Sequence, residues 1–341
     1  MRVAVVGATG VVGREMVRIL EEREFPVDDL AVYSSPRSEG RRLTFRGNPI
    51  TVRALAPESL EGVDLALFSA GADVSREMAP AASAGGTTCI DNSSAFRMDP
   101  DVPLVIPEVN GGALDGGPRL IANPNCTTIV TVMAVAALHR FAGLKQMIVS
   151  SYQSVSGTGL RAIQELSEQI EKLHGMEEEL IRPDHAALPE GEIYGKTIAF
   201  NVLTMQGPPD EDDWSAEERK LLKESRKILD APELEVGATV VRVPVIAGHS
   251  AAIFATFSRP ISPEEARDAL ARWPGVEVVD DPERGEYPTP LDAAGRDDVL
   301  VGRIRSVPGR DDALLLFACG DNLRKGAALN AIQIAEYLFA R

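Results

Sequence analysis

Short apolar runs alternate with amphipathic stretches along residues 1–125. "RVAVVG", "LAVYSS", "VDLALFSA" and "TTCIDNSS" read as strands, and apolar residues at helical spacing predict helices near Val11 to Arg23 and near Val74 to Ala84. Alternation of this kind predicts a parallel sheet covered by helices on both faces. From Lys145 the pattern changes to longer strand-like runs, "QMIVSSYQSV", "KTIAFNVLTM", "ATVVRVPVIAG" and "SAAIFATFSRP", interrupted by a few helices. That half predicts an α+β unit with a large, mostly antiparallel sheet. The closing segment, "NLRKGAALNAIQIAEYLFAR", sets Leu329, Ile332, Ala335 and Leu338 or Phe339 at helical spacing. No internal repeat or low-complexity tract interrupts the pattern.

At 341 residues the chain exceeds one ordinary hydrophobic core, so two domains are expected. A formal net charge of -16 argues against a nucleic-acid or anionic-membrane surface, though it leaves room for a local basic pocket holding one small anion. The longest apolar run, Ile129 to Leu138, is too short to span a bilayer. A strand pattern begins at Arg2 with no basic, apolar leader ahead of it. Cys89, Cys126 and Cys319 are odd in number and widely spaced, which disfavours a disulfide framework or a zinc site. The expectation is a reducing cytoplasm, small-molecule partners and no metal.

One cysteine has a telling context. In "ANPNCTTI", the Asn-Pro-Asn turn precedes Thr127, Thr128 and the apolar run, which predicts that Cys126 begins a helix. Unpaired N–H groups and the positive end of the dipole there would stabilise a thiolate, the nucleophilic form. The plain alternative is a small buried hydrophobe.

"GATGVVG" follows the first strand and opens the first helix. Gly7, Gly10 and Gly13, with the intervening Thr9, Val11 and Val12, make a turn that can approach a pyrophosphate and pack helix on strand. The second strand ends in "YSSPRSEG" with no acidic residue for ribose hydroxyls. Ser34, Ser35, Arg37 and Ser38 instead suit a 2′-phosphate, which favours NADP over NAD; a polar surface loop is the alternative. Of four histidines, His139 sits late in the apolar helix and His174 and His185 in or beside charged helical sequence. His249, in "RVPVIAGHSAAIF", falls at a sheet end where its ring could project into a cleft.

These segments, with "NPNCTTI" at 123–129, "SYQSVSGTG" at 151–159 and "DNLRKGAALNAIQIAE" at 321–336, together resemble the aspartate-β-semialdehyde dehydrogenases from one end of the chain to the other. The resemblance implies an N-terminal Rossmann-like, doubly wound domain and an α+β catalytic and dimerisation domain with a mixed sheet. It places the boundaries at 1–125 plus 321–341 for the first and 126–320 for the second, the C-terminal helix returning to close the nucleotide domain. It implies reversible, NADP-linked reductive dephosphorylation of L-aspartyl-4-phosphate, an early step towards lysine, threonine and methionine. Cys126 would be the nucleophile, His249 the acid and base, and Gln153 an orienting residue. Asn125 would line the substrate pocket, Arg242 would hold the α-carboxylate and Glu217 or Glu218 the α-amino group. Arg97 and Lys220 would hold phosphate, although Glu217 and Lys220 could equally be a surface i,i+3 pair. Ser156, Gly157, Gly159 and Asn322 would lie near the cofactor. A homodimer or dimer of dimers is implied. Two rivals remain: a relative acting on another acyl phosphate such as N-acetylglutamyl phosphate, and a noncatalytic NADP-binding protein. The first would not need a free α-amino group; the second would have no use for Cys126 and His249 together.

Overall fold

The computed structural model describes residues 1–181, 188–205 and 207–339. Its first sheet contains β1 (Arg2–Val6), β2 (Asp29–Ser34), β5 (Arg53–Ala54), β6 (Leu65–Phe68), β7 (Thr88–Asp91) and β8 (Leu120–Ala122), with β3 (Arg42–Phe45) and β4 (Asn48–Thr51) forming a separate hairpin. Strand order is β5-β2-β1-β6-β7-β8, and every pairing is parallel. Connections leave β1 in opposite directions towards β2 and β6, so the crevice at the carboxyl ends of β1 and β6 is the switch point where ligands of such sheets bind. The helices Val11–Glu22 and Ala72–Ala84 stand within a residue or two of their expected positions. β1, the first helix and Leu329, Ile332 and Ala335 of the C-terminal helix share one apolar core. That helix, Leu329–Phe339, is entered through a wider π-helical turn at Arg324–Ala328.

The second sheet runs β10-β9-β11-β14-β13-β12, built from β9 (Leu144–Gln153), β10 (Glu235–Arg242), β11 (His249–Phe257), β12 (Val276–Val278), β13 (Val299–Val307) and β14 (Arg310–Gly320). Its two outer pairs are parallel and its three inner pairs antiparallel. Register brings the chemistry together. Arg242 stands beside Gln153 at the ends of β10 and β9, while His249 opens β11 opposite Gly320 at the end of β14. Three segments distant in sequence therefore meet at one end of one sheet.

The Cys126–Ala142 helix packs on that sheet, its residues from Thr127 to Leu138 all buried. A helix apolar all round is a core helix, as the run from Ile129 to Leu138 requires. No described helix is long and apolar enough to cross a membrane.

One expected strand is absent. "KTIAFNVLTM" forms an irregular segment whose only sheet contact is an isolated bridge between Leu203 and Arg242. The Gln169 side chain accepts hydrogen bonds from the Ile198 and Ala199 N–H groups, at 2.8 and 3.1 Å, which a ladder would otherwise need. Phe200 then turns with φ of +57°, and Ile198, Ala199 and Leu203 pack beside Leu166.

Candidate active site

Asn125 is the N-cap of the helix that Cys126 opens, and its Oδ1 accepts from the N–H groups of Thr127 and Thr128 at 2.9 and 3.3 Å. Cys126 is the first helical residue, partly exposed to a cleft of about 370 Å³. Gln153, Arg242, His249, Glu217, Lys220 and Arg97 all line the same cleft. Gly326 closes over the cysteine from the π-helical turn: a Cβ there would lie 3.1 Å from the Cys126 Cβ.

His249 is held from behind. Its Nδ1 accepts from the Ser154 N–H at 3.1 Å and lies 3.0 Å from the Ser154 Oγ, while Nε2 has no partner among the described residues. These contacts assign the proton of the neutral ring to Nε2. Burial holds His249 well below the usual imidazole range, and the Arg242 guanidinium adds to the effect. Behind Ser154, the Asn322 Oδ1 accepts from the Ser154 hydroxyl at 3.0 Å and from the Gly248 N–H at 2.9 Å, and its Nδ2 donates to Ser156 at 2.9 Å. Sheet end, turn and C-terminal segment are thereby locked to one imidazole.

Burial and then the Glu217 carboxylate push the Cys126 thiol up, and the pull of Arg242, Arg97 and the Thr127 N–H does not cancel them. The helix N-terminus is therefore opposed at this sulfur rather than acting alone. A helix end supplies partial charge, whereas desolvation and a full carboxylate charge act on the same sulfur. Cys89 and Cys319, both buried in the core, are pushed up to about 12 by burial.

Glu217 pairs with Lys220 and accepts from Asn125 Nδ2 at 2.9 Å. Burial opposes its ionisation, but Lys220, Asn125 and Arg242 outweigh that and hold the carboxyl below the usual range. Glu218 faces elsewhere: it closes a capping box with Ser215 and accepts from the Val240 N–H at 3.2 Å. Arg242 donates from Nη1 to the Ser154 carbonyl at 2.5 Å, and the Tyr194 ring lies 5.8 Å from its guanidinium. Gln153 donates to the Thr127 hydroxyl at 2.5 Å.

The glycine turn packs helix closely on strand. Gly7 has φ of +89°, and a Cβ there would fall 2.4 Å from the Ser69 carbonyl; one on Gly13 would fall 2.3 Å from the Gly7 carbonyl. The turn can therefore only be glycine, and the first helix starts hard against β1. Gly7, Thr9, Gly10, Ser34 and Ser35 line a groove of about 480 Å³ at the switch point, which shares Ser69 with the catalytic cleft. Thr9 and Ser34 hydroxyls are 2.7 Å apart. This backbone-lined cradle fits a dinucleotide. Val12 and Gly157 reach the Cys126 cleft, whereas Ser38 is buried, Arg37 is exposed, and Gly159 caps the Leu160–Leu173 helix without lining the cleft. Val11 opens the first helix. Among the other histidines, His139 accepts from the Leu144 N–H at 3.2 Å, far from this cleft in the helix's last turn, and His185 lies outside the described residues.

Residues 2–116 match the family described as semialdehyde dehydrogenase, NAD binding domain, and residues 135–325 match semialdehyde dehydrogenase, dimerisation domain. An aspartate-semialdehyde dehydrogenase of Aquifex aeolicus is 48% identical across 99% of this chain and 97% of its own length. The chain belongs to the aspartate-semialdehyde dehydrogenase family. Its Mycolicibacterium smegmatis relative of that name is 49% identical over 100% of this chain and 99% of its own. Among solved structures, aspartate semialdehyde dehydrogenase II from Vibrio cholerae superposes with a TM-score of 0.92 at 39% identity, covering 99% of this chain and 98% of that one. A second structure of that protein, with the same TM-score, is described as complexed with ASA.

Sequence reasoning missed several parts of this family site. Ser69 and Gly71, Asn92 and Ser94 line the cleft from the carboxyl ends of β6 and β7. The general rule that parallel sheets bind ligands at those ends was the available signal. Ser154, Thr127, Tyr194 and Glu224 carried no signal of their own, because each acts by contacting a residue distant in the chain.

Proposed function

We propose that this chain catalyses the reversible, NADP-linked reductive dephosphorylation of L-aspartyl-4-phosphate to L-aspartate 4-semialdehyde. The observation that carries the reading is one cleft holding a cysteine at a helix N-terminus, an imidazole with a free, buried Nε2, and cations on either side. The name shared by relatives of 42% to 49% identity over nearly the whole chain supports the same substrate.

Arg242 receives the α-carboxylate through its planar fork and Glu217 the α-amino group, while Arg97 and Lys220 receive the phosphate. The Cys126 sulfur attacks the acyl carbon as its S–H proton passes to the departing phosphate, giving a thioester and hydrogen phosphate. Neutral His249 presents Nε2–H to the carbonyl oxygen, where negative charge develops. The Ser154 Oγ gives Nδ1–H an acceptor when the ring becomes charged, so His249 serves as both acid and base. Gln153 and Asn125 fix the helix start that carries the sulfur. The turn at Gly7, Thr9, Gly10, Val11, Val12 and Gly13 would hold a dinucleotide whose nicotinamide would supply the hydride that reduces the thioester, with Gly157 and Asn322 beside it, Ser156 bonded to Asn322 and Gly159 capping the helix that follows.

NADP rather than NAD is supported by Ser34 ending β2 where an acidic residue would bind ribose, and by Arg37, exposed three residues further on and in no ion pair among the described residues. A homodimer, or a dimer of dimers, is supported by the dimerisation-domain match and by one open face of the second sheet. There Ile148 is 51% and Tyr152 38% exposed, beside Phe317 at 6.1 Å between ring centroids. Domains of 1–125 with 321–341, and 126–320, follow the two sheets and the return of the last helix to the first core. A cytoplasmic site of action is supported by three unpaired thiols.

The test is purified protein with aspartate semialdehyde, NADP and phosphate, following reduced nicotinamide. Turnover that requires phosphate and the free α-amino group is expected. Turnover with an N-acylated five-carbon semialdehyde but not with aspartate semialdehyde would replace the substrate.

A further inference from the structure

Glu224 is buried to 1% exposure on the Ala216–Ile228 helix, seven residues past Glu217 and four past Lys220. That spacing sets all three on one helical face. Its two oxygens are divided between two partners. Oε1 accepts from Arg97 Nη1 at 3.1 Å, and Oε2 accepts from the Asn125 backbone N–H at 2.7 Å.

Each partner bears on a different part of the chemistry. Arg97 donates from Nε to the Asn123 carbonyl at 2.9 Å and from Nη2 to the Asn92 carbonyl at 2.7 Å. With Glu224, three of the five guanidinium N–H groups are fixed, and two remain for an anion in the cleft that Arg97 lines. Asn125 caps the helix that Cys126 begins, so the direction of its peptide N–H sets how that helix enters the cleft. A single carboxylate thus ties the cation to the cap.

We propose that Glu224 is a positioning residue: it holds the Arg97 guanidinium and the cap of the nucleophile helix in one frame, so that phosphate and sulfur meet at a fixed separation. The inference rests on the reading that Arg97 receives phosphate. A single anionic acceptor shared by two donors has no neutral substitute. The amide of Glu224→Gln keeps the size but turns one of its two ends into a donor facing a donor.

The experiment measures separate KM values for inorganic phosphate and aspartate semialdehyde in Glu224→Gln, Arg97→Lys and the double variant, with thermal melting as a check on folding. Glu224→Gln is expected to raise the phosphate KM about 10-fold, the worth of one charged hydrogen bond, with the semialdehyde KM changed less than about 2-fold. In the Arg97→Lys background, which lacks the fork, adding Glu224→Gln is expected to raise the phosphate KM no further. An Arg97→Lys enzyme with an unchanged phosphate KM would sink the assignment of Arg97 itself. A folded Glu224→Gln enzyme with unchanged phosphate KM, or one whose two KM values rise together, would overturn the role of Glu224 alone. Should Glu224→Gln not fold, Glu224→Asp keeps the charge, reaches one donor, and is expected to show the same split between KM values. Failure of both to fold would make Glu224 a residue of the fold only, against the proposal.

Discussion

The two ends of the cleft are built from different materials. At the substrate end, function rests on charged and polar side chains that hold one another: Glu217 to Lys220 and Asn125, Glu224 to Arg97, Ser154 to His249. At the cofactor end it rests on backbone shape and the absence of Cβ atoms, with Gly7 and Gly13 pressed against carbonyl oxygens. The difference shows where each end is vulnerable. Removing a side chain at the proposed substrate end is expected to abolish a chemical role more than the fold, whereas adding one methyl at the glycine turn is expected to disturb the fold that makes the groove.

The hardest test of that contrast is Cys126→Ala, which should abolish turnover while leaving NADP binding and melting temperature close to the parent. Cys126→Ser should keep at most a trace, since a hydroxyl there stays protonated. Next, His249→Ala should lower kcat by about 10²–10⁴-fold with the semialdehyde KM little changed; a change in KM alone would remove its proton role. At the other end, Gly13→Ala should behave oppositely, costing about 1–3 kcal/mol of stability in thermal melting because its Cβ has no room, with activity lost in proportion to NADP affinity. Smallest is Arg37→Ala. It should weaken NADP by about 10-fold and leave NAD unaltered in steady-state kinetics, and equal losses for both would place the 2′-phosphate elsewhere.

What the chain disclosed beforehand follows the same division. The parallel sheet, the glycine turn and the helix start at Cys126 were legible because each is a local pattern: alternation, spacing, a proline-stiffened cap. The choice between Glu217 and Glu218 stayed open in the sequence reading, although a local signal was there: Ser215 followed three residues later by Glu218 is a capping-box signature that commits Glu218 to the helix end. The upward push on the Cys126 thiol was not legible, because it comes first from burial in the folded core and then from a carboxylate 91 residues away in the chain. Nor was the fate of "KTIAFNVLTM", whose apolar alternation resembles a strand until Gln169, on a neighbouring helix, takes its N–H groups. Strands β13 and β14 also escaped the reading of apolar runs, although together they complete the sheet that carries His249.

The account turns on a covalent bond to one sulfur, and the most direct measurement is a rapid-mixing experiment without phosphate. Enzyme, aspartate semialdehyde and NADP should give a burst of one reduced nicotinamide per active site and then stop, with an aspartyl group on the Cys126 peptide by mass spectrometry. Steady turnover without phosphate, or a burst that persists in Cys126→Ala, would contradict it.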